Sequence, residues 1–391
     1  MQKMDDVYNL LSKMSDYDAG EWVKDPKNML YFELYLAELQ ARKGGKRKTY
    51  DTHMFEANLY ENLLRLRDAV WNLEYKPSRG TAHVIFRPVQ REIFAAPYVD
   101  RVAHHFVINN IIDWWEPRLS SASCSCRVGK GTSYGIEMLK RNIQAASRNY
   151  TRKVFVIKMD ISGYFMHINR SLLYKRVVDF GLNRQFAGRF DCKRYKILKH
   201  MIHEIIFDDP VKGVKIQGSY EDWRGLPEDK SLFCQPEGQG MVIGNLTSQF
   251  FSNIYLDPLD RFITFVLGYK YYGRYVDDFY IIVTEEQLGQ AKKDIKQIAT
   301  FLEGLGMSLN YKKTRVIPSY QGVPFLGMIV KNHEVLPGKR LTNNFMEAAH
   351  EVVCGERDVD SIVSYLGLVS HCDAVKVTEK IFKKVGWDYN Y

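Results

Sequence analysis

Six cysteines are scattered through 391 residues, and no two of them form a CxxC pair. Cys124-Ser125-Cys126 is spaced too closely for a zinc knuckle, and Cys192, Cys234, Cys354 and Cys372 stand far apart, so nothing supports a structural zinc site. All six read as reduced thiols of a cytoplasmic protein. The sequence also lacks any uninterrupted apolar run near the roughly 20 residues of a membrane span. Its first residues carry Lys3, Asp5, Asp6 and Asp16 and do not read as a secretory leader, so a soluble intracellular protein with no membrane partner is expected. Internal repeats and low-complexity tails are absent as well.

What is present is a globular composition: 46% hydrophobic and 13% aromatic, with 25 Tyr and 21 Phe available for packing or stacking. The length calls for two or three domains. Lysine and arginine number 55 against 46 acids, a net charge of +9 that favours a polyanionic partner but also fits an ordinary basic protein. Helical periodicity runs through Asn28–Arg42 and again through Phe55, Leu59, Leu63, Leu66, Val70 and Trp71. Between them Arg42-Lys43-Gly44-Gly45-Lys46-Arg47-Lys48 is a flexible basic loop, either a solvated connector or a phosphate contact. A hairpin with a basic turn is expected over residues 81–97, then a helix over Tyr98–Trp115 with His104 and His105 at polar positions. Further helices are expected over Ser133–Ser147, Lys193–Phe207, Ser248–Phe262 and Glu286–Leu305, and Asp208–Gln235 reads as an insertion or extended hairpin. Beyond about residue 340 the pattern is helical.

Two features carry chemistry. Tyr271-Tyr272-Gly273-Arg274-Tyr275-Val276-Asp277-Asp278-Phe279-Tyr280-Ile281-Ile282-Val283 predicts a β-hairpin with adjacent aspartates at its tip. Neighbouring carboxylates repel, and apolar surroundings make ionising both harder, so a fold that keeps them has a cation to hold. The plainer reading is a polar turn, for which Asp is well suited. The second feature is Val154-Phe155-Val156-Ile157-Lys158-Met159-Asp160, a strand apolar enough to be covered on both faces and ending in an acid. Around these lie a loop of hydroxyls, cations and glycines at Ser121–Thr132, a Gly-rich segment at Pro236–Ser248 that feeds a helix, Lys312-Lys313-Thr314 and Phe325-Leu326-Gly327.

In this order and at these intervals, the blocks resemble the polymerase core of reverse transcriptases over roughly residues 80–335. The resemblance implies an α+β right-hand polymerase. Its parts would be an N-terminal basic helical region (residues 1–80), fingers and an antiparallel-sheet palm with packed helices (81–330), and a short helical thumb (331–391). It implies RNA-directed DNA synthesis from deoxynucleoside triphosphates with two Mg²⁺ ions, held by Asp160, the carbonyl of Ile161, Asp277 and Asp278. By matching position, Phe165 resembles the aromatic gate under the sugar, with plain core packing as the alternative. Arg91 resembles the arginine that grips the triphosphate. The lysine usually found just before it is absent, since Val89 and Gln90 stand there, and Arg87 is the substitute. Arg127 and Lys130 belong to the next fingers block. Lys313, with Lys312 as competitor, resembles the proton donor to pyrophosphate.

The Gly-rich block narrows the resemblance. Ile243-Gly244-Asn245-Leu246-Thr247-Ser248-Gln249 has an aliphatic residue where most relatives have glutamine, and Gln249 where they have proline. Together with Ser123–Thr132 and Asp100–His105, this is similar to reverse transcriptases of diversity-generating retroelements. Those copy a template-repeat RNA into cDNA with errors opposite adenine, and they work with a small basic accessory protein. A group II intron-like enzyme of ordinary fidelity and a non-catalytic RNA-binding scaffold remain as alternative expectations.

Overall fold

β-Branched residues dominate Val154–Ile157, and in the computed structural model of the chain they open a strand, Val154–Ser162. The structure describes residues 24–43, 49–86 and 89–387, so Gly44–Lys48 of the basic loop and Arg87 lie outside the described residues. Two compact units form. The first holds the described residues up to Leu119 with Gly163–Leu256, and the second holds Ser120–Ser162 with the described residues from Asp257 onward. Helices and antiparallel sheet are mixed in one chain, as expected of the α+β class. None of the six cysteines forms a disulfide. Among the described residues no helix is long and apolar enough to cross a membrane.

In the second unit, Val154–Ser162 is the middle of a five-stranded sheet. Asp278–Thr284 pairs antiparallel along one edge and is itself paired with Tyr272–Tyr275, which makes the expected hairpin. The other edge is shared, with Arg315–Pro318 on the first half of the strand and Ser308–Leu309 on its end. Helix Thr132–Ala146 turns Ile136, Leu139 and Ile143 to one side, as spacings of three and four residues require. They pack with Val154, Val156, Tyr280 and Ile282 and with Val323, Phe325, Met328 and Val330 of a small three-stranded sheet. Helices Lys339–Val353, Asp360–Val369 and Val375–Lys384 enclose a separate cluster around Phe345, Ile362, Ile381 and Phe382.

The first unit is mainly helical. Helix Pro26–Ala41 starts with a proline at its first turn, and the Lys27 amide donates to the Asp25 carboxylate, which caps it. The pattern from Phe55 to Trp71 is not one helix but two, Tyr50–Ala57 and Leu59–Asn72, broken at Asn58. Thr81–Ile85 and Arg91–Ala95 form the expected antiparallel pair.

Two further expectations are corrected in this unit. Asp208–Gln235 is not an extended hairpin. It contributes one two-residue strand, Lys215–Ile216, parallel to Thr81–Ile85, followed by short 3-10 turns. Gly213, Gly218 and Gly225 at positive φ and the ladder-breaking Pro210 and Pro227 prevent a longer strand. What organises the segment is the buried Glu92 carboxylate, which accepts from Trp223 Nε1 at 2.6 Å, Ser231 Oγ at 2.7 Å and the Leu232 amide at 2.7 Å. His104 is likewise no polar surface position. It is buried, 3.4 Å from the Thr247 hydroxyl, and burial drives its pKa down to about 3, so it stays neutral.

Gly273 shows how tightly the hairpin is packed. A Cβ there would lie 2.5 Å from the Tyr280 hydroxyl and 2.6 Å from Met138 Cε. Gly273→Ala is therefore expected to cost about 1–3 kcal/mol by overpacking, read as a lower urea midpoint at unchanged slope.

Candidate functional site

The antiparallel register sets Asp160 directly opposite Asp278, so both carboxylates emerge on one sheet face. Like charges in that relation are destabilising, and the surroundings must answer for them. Asp277 lies in the two-residue turn between Tyr275 and Asp278, and its carbonyl accepts from the Ile161 amide at 3.1 Å. Val276, the other turn residue, has φ 56°, a conformation β-branched residues rarely adopt.

Arg274 holds that strained tip, and neither half of its network is legible from motif spacing. The side chain is fully buried, as is that of Asp260. Its Nε donates to Asp260 Oδ1 and its Nη2 to Asp260 Oδ2, both at 2.7 Å. Nη1 donates to the Val276 carbonyl at 3.0 Å and Nη2 to Ser123 Oγ at 3.1 Å. Tyr272 adds a hydroxyl donor to Asp260 at 2.6 Å. The Cys124 amide donates to the Arg274 carbonyl at 3.0 Å, and the Arg274 amide to Ala122 at 2.9 Å. One side chain thus ties the aspartate turn, the end of helix Leu246–Arg261 and the Ser121–Thr132 loop to each other.

Two lysines face the acids. Lys313 Nζ stands 2.9 Å from both oxygens of Asp160, and Lys158 Nζ 2.9 Å from Asp278 Oδ2. Lys312 is exposed and makes neither contact, so of the two competing lysines it is Lys313 that meets the acid. Asn310 positions Asp160 further: its amide donates to the Asp160 carbonyl at 2.8 Å and its Nδ2 to Oδ1 at 3.2 Å. Burial, then repulsion from Asp160, lifts the Asp277 pKa to about 6. Burial also raises that of Asp278, against the pull of Lys158.

The remaining expected residues fall in several settings. Arg127 is buried and donates to the carbonyls of Ser120 and Ser123, and Lys130 Nζ donates to Ser121 and Ser123, so both cations brace their own loop. In the first unit, Arg91 is exposed at the start of its strand; its backbone pairs with Ile85, and its side chain makes no hydrogen bond or ion pair to a described residue. Phe165 lies in a 3-10 turn against Tyr164, with its carbonyl accepting from the Met241 amide at 2.8 Å. Gly244 takes φ 105° just after Ile243, which packs on the cluster of Ala82, Phe94, Met166 and Leu232. Gln249 sits in the first turn of helix Leu246–Arg261.

Whether these residues suit a metal can be judged from the donors. Among the described residues no three His, Cys, Asp or Glu side chains close around a point that would hold an ion. The second unit nevertheless offers three carboxylates on one sheet end, all hard oxygen donors, and Asp278 Oδ1 is buried with no hydrogen-bond partner. That set fits a hard divalent cation that takes one or two carboxylates and completes its shell with water and phosphate.

The sequence model of the family described as Reverse transcriptase (RNA-dependent DNA polymerase) matches residues 91–330. The chain belongs to the reverse transcriptase family. Reverse transcriptases as a group use divalent metal ions and deoxynucleoside triphosphates. Comparison with the curated proteins finds no match. Among solved structures the chain is similar to telomerase from Candida Tropicalis in complex with a TWJ fragment of telomeric RNA, at TM-score 0.46 and 12% identity over 80% of this chain and 54% of that one. It is also similar to apo telomerase from Candida Tropicalis (0.44, 13%, 79% and 58%). The Candida albicans telomerase complex gives 0.45 and 12%, over 87% and 60%. The chain therefore spans 54% to 60% of the length of these telomerase chains.

In this reverse transcriptase the Arg274–Asp260 pair yields a direct test. Arg274→Leu and Asp260→Leu should each cost about 3–5 kcal/mol by stranding a buried charge, whereas the double variant should cost much less than their sum. Chemical denaturation of the four proteins measures that coupling.

Proposed function

We propose that the chain is an RNA-directed DNA polymerase whose nucleotidyl transfer is centred on Asp160, Asp277 and Asp278. The observation that carries the reading is the opposed Asp160–Asp278 register, with Asp277 in the adjoining turn and Lys313 on Asp160. Such a group of like charges is costly to maintain, and a nucleotide-bound cation is what it suits. The carboxylates, with the Ile161 carbonyl, would hold two Mg²⁺ ions. Bound there, the metal supplies activation of the primer 3′-hydroxyl and charge stabilisation of the departing pyrophosphate.

The chain's own residues do the rest. Lys313 stands within reach of the acids and is the donor to the leaving pyrophosphate. Lys158 offsets charge on Asp278 while leaving its second oxygen to a ligand. Arg91, exposed on its strand, grips the triphosphate, and Phe165 excludes a 2′-hydroxyl. Arg127 and Lys130 serve indirectly, by bracing the loop that Arg274 ties to the aspartate turn.

Within the family we assign the chain to the diversity-generating retroelement group, working with a template-repeat RNA, its cDNA hybrid and a small basic accessory protein. The Ile243–Gln249 block supports this. Ile243 is engaged in apolar packing and offers no hydrogen bond to an incoming nucleotide, so base selection loosens. Selectivity lost with one positioning contact is worth about one or two factors of ten, at 1.4 kcal/mol each.

Primer extension on RNA with Mg²⁺ should be abolished by Asp277→Ala and slowed about 10²- to 10⁴-fold by Lys313→Ala. Equal activity of wild type and Asp277→Ala would show a scaffold rather than an enzyme. In sequenced cDNA, errors should concentrate opposite adenine, and Ile243→Gln should reduce them about ten- to a hundredfold. An unchanged adenine error rate in that variant rules out the Ile243 explanation, and a uniform low rate in wild type points to an enzyme of ordinary fidelity.

A further inference from the structure

A second surface, in the first unit, has the chemistry of a nucleic-acid platform, and none of its residues belongs to the carboxylate site. Between Ser171 and Phe207 eight lysines and arginines stand against three acids, Asp179, Asp191 and Glu204. Helix Lys193–Phe207 buries Ile197, Leu198, Met201, Ile202, Ile205 and Ile206 and exposes Lys196, Lys199, His203 and Phe207, spaced three, four and four residues apart along one face.

Flat rings accompany the helix at both ends. Tyr174, His203 and Phe207 form a mutual cluster, with ring centroids 4.9 to 5.7 Å apart. Near the helix start, Phe190 stacks edge-on to Tyr195 at 5.3 Å and is 47% exposed, with Lys199 Nζ 5.7 Å from the Tyr195 ring centroid. The approach to the helix is unusual too. Lys175–Leu182 is a π-helical segment, a form that recurs at functional sites. Within it Gly181 lies close against Trp115, so that a Cβ there would meet the indole at 2.4 Å, and the segment presents Phe180, also 47% exposed, with the Arg184 guanidinium 5.6 Å from its ring centroid.

We infer that this strip binds a single-stranded segment of RNA, with its cations on phosphates and its exposed rings stacked on bases. Exposed rings interleaved with cations suit unpaired bases, whose faces are open, whereas a duplex hides them. A basic protein partner would meet like charge here. Identifying the strand as RNA rests on the proposed RNA-templated activity; the binding chemistry does not. At about 1.5 Å per residue the helix face is some 22 Å long, enough for several nucleotides.

The experiment uses the full chain and an unstructured oligouridylate, with fluorescence anisotropy read across a salt series. Lys196→Gln/Lys199→Gln should weaken binding and lower the slope of log K against log salt by about 1.4, roughly 0.7 for each lysine. Lys196→Arg/Lys199→Arg should keep both. Phe190→Ala and Phe207→Ala should each cost roughly five- to tenfold in affinity with little change in slope. Thermal unfolding of each variant checks that the fold is intact. The inference is overturned if oligouridylate affinity is unchanged, if duplex RNA loses affinity equally, or if the variants lose only a protein partner. Primer extension on a pre-annealed substrate separates the two readings. A wild type that never extends a primer, yet loses RNA affinity in the glutamine variant, sinks the polymerase reading and leaves the strip standing.

Discussion

An arginine with no solvent contact is tolerated only where its donors are answered, and Arg274 is answered by a bidentate aspartate, a serine hydroxyl and a backbone carbonyl. The constraint matters because of which carbonyl that is. Val276 sits at φ 56° immediately before the two aspartates, and a turn strained in this way persists only where its surroundings over-determine it. Asp260 delivers the countercharge from the end of a helix, and Ser123 delivers a loop. The position of the acids is therefore decided by a guanidinium that never touches them.

The acids pose the opposite problem. Asp160 and Asp278 face each other across the ladder, and burial raises the pKa of both Asp277 and Asp278. Lys158 and Lys313 relieve the repulsion, one by a diagonal contact on the same sheet face and one from the turn after Ser308–Leu309. Neither lysine satisfies everything, since Asp278 Oδ1 has no donor. Two ammonium contacts and one acceptor without a donor leave these carboxylates less completely satisfied than a closed salt-bridge network would.

Much of this was legible locally. The hairpin with acids at its tip, the apolar strand that carries Asp160 (which runs on to Ser162 rather than ending at the acid) and helix Lys193–Phe207 follow from alternation and helical spacing, which neighbours in sequence enforce. What failed was local as well, but in another sense. Asp208–Gln235 has turn residues that suit a hairpin, yet Glu92, more than a hundred residues earlier, gathers Trp223, Ser231 and Leu232 around one carboxylate instead. His104 looks polar by type and is buried by its partner elements.

The amino-acid sequence by itself determined which side chains could do chemistry: three aspartates, a Lys-Lys-Thr block, a basic-aromatic helix and an aliphatic Ile243 in a glycine-rich turn. Only the tertiary structure decided that Asp160 opposes Asp278, that Lys313 rather than Lys312 meets it, that Arg127 turns into its own loop, and that Arg274 and Asp260 belong together. The physical reason is the range of the interactions. Periodicity and turn chemistry act over a few residues. Strand register and buried charge pairing join residues 14 to 153 positions apart, and what selects the partner there is the desolvation cost of leaving a charge alone.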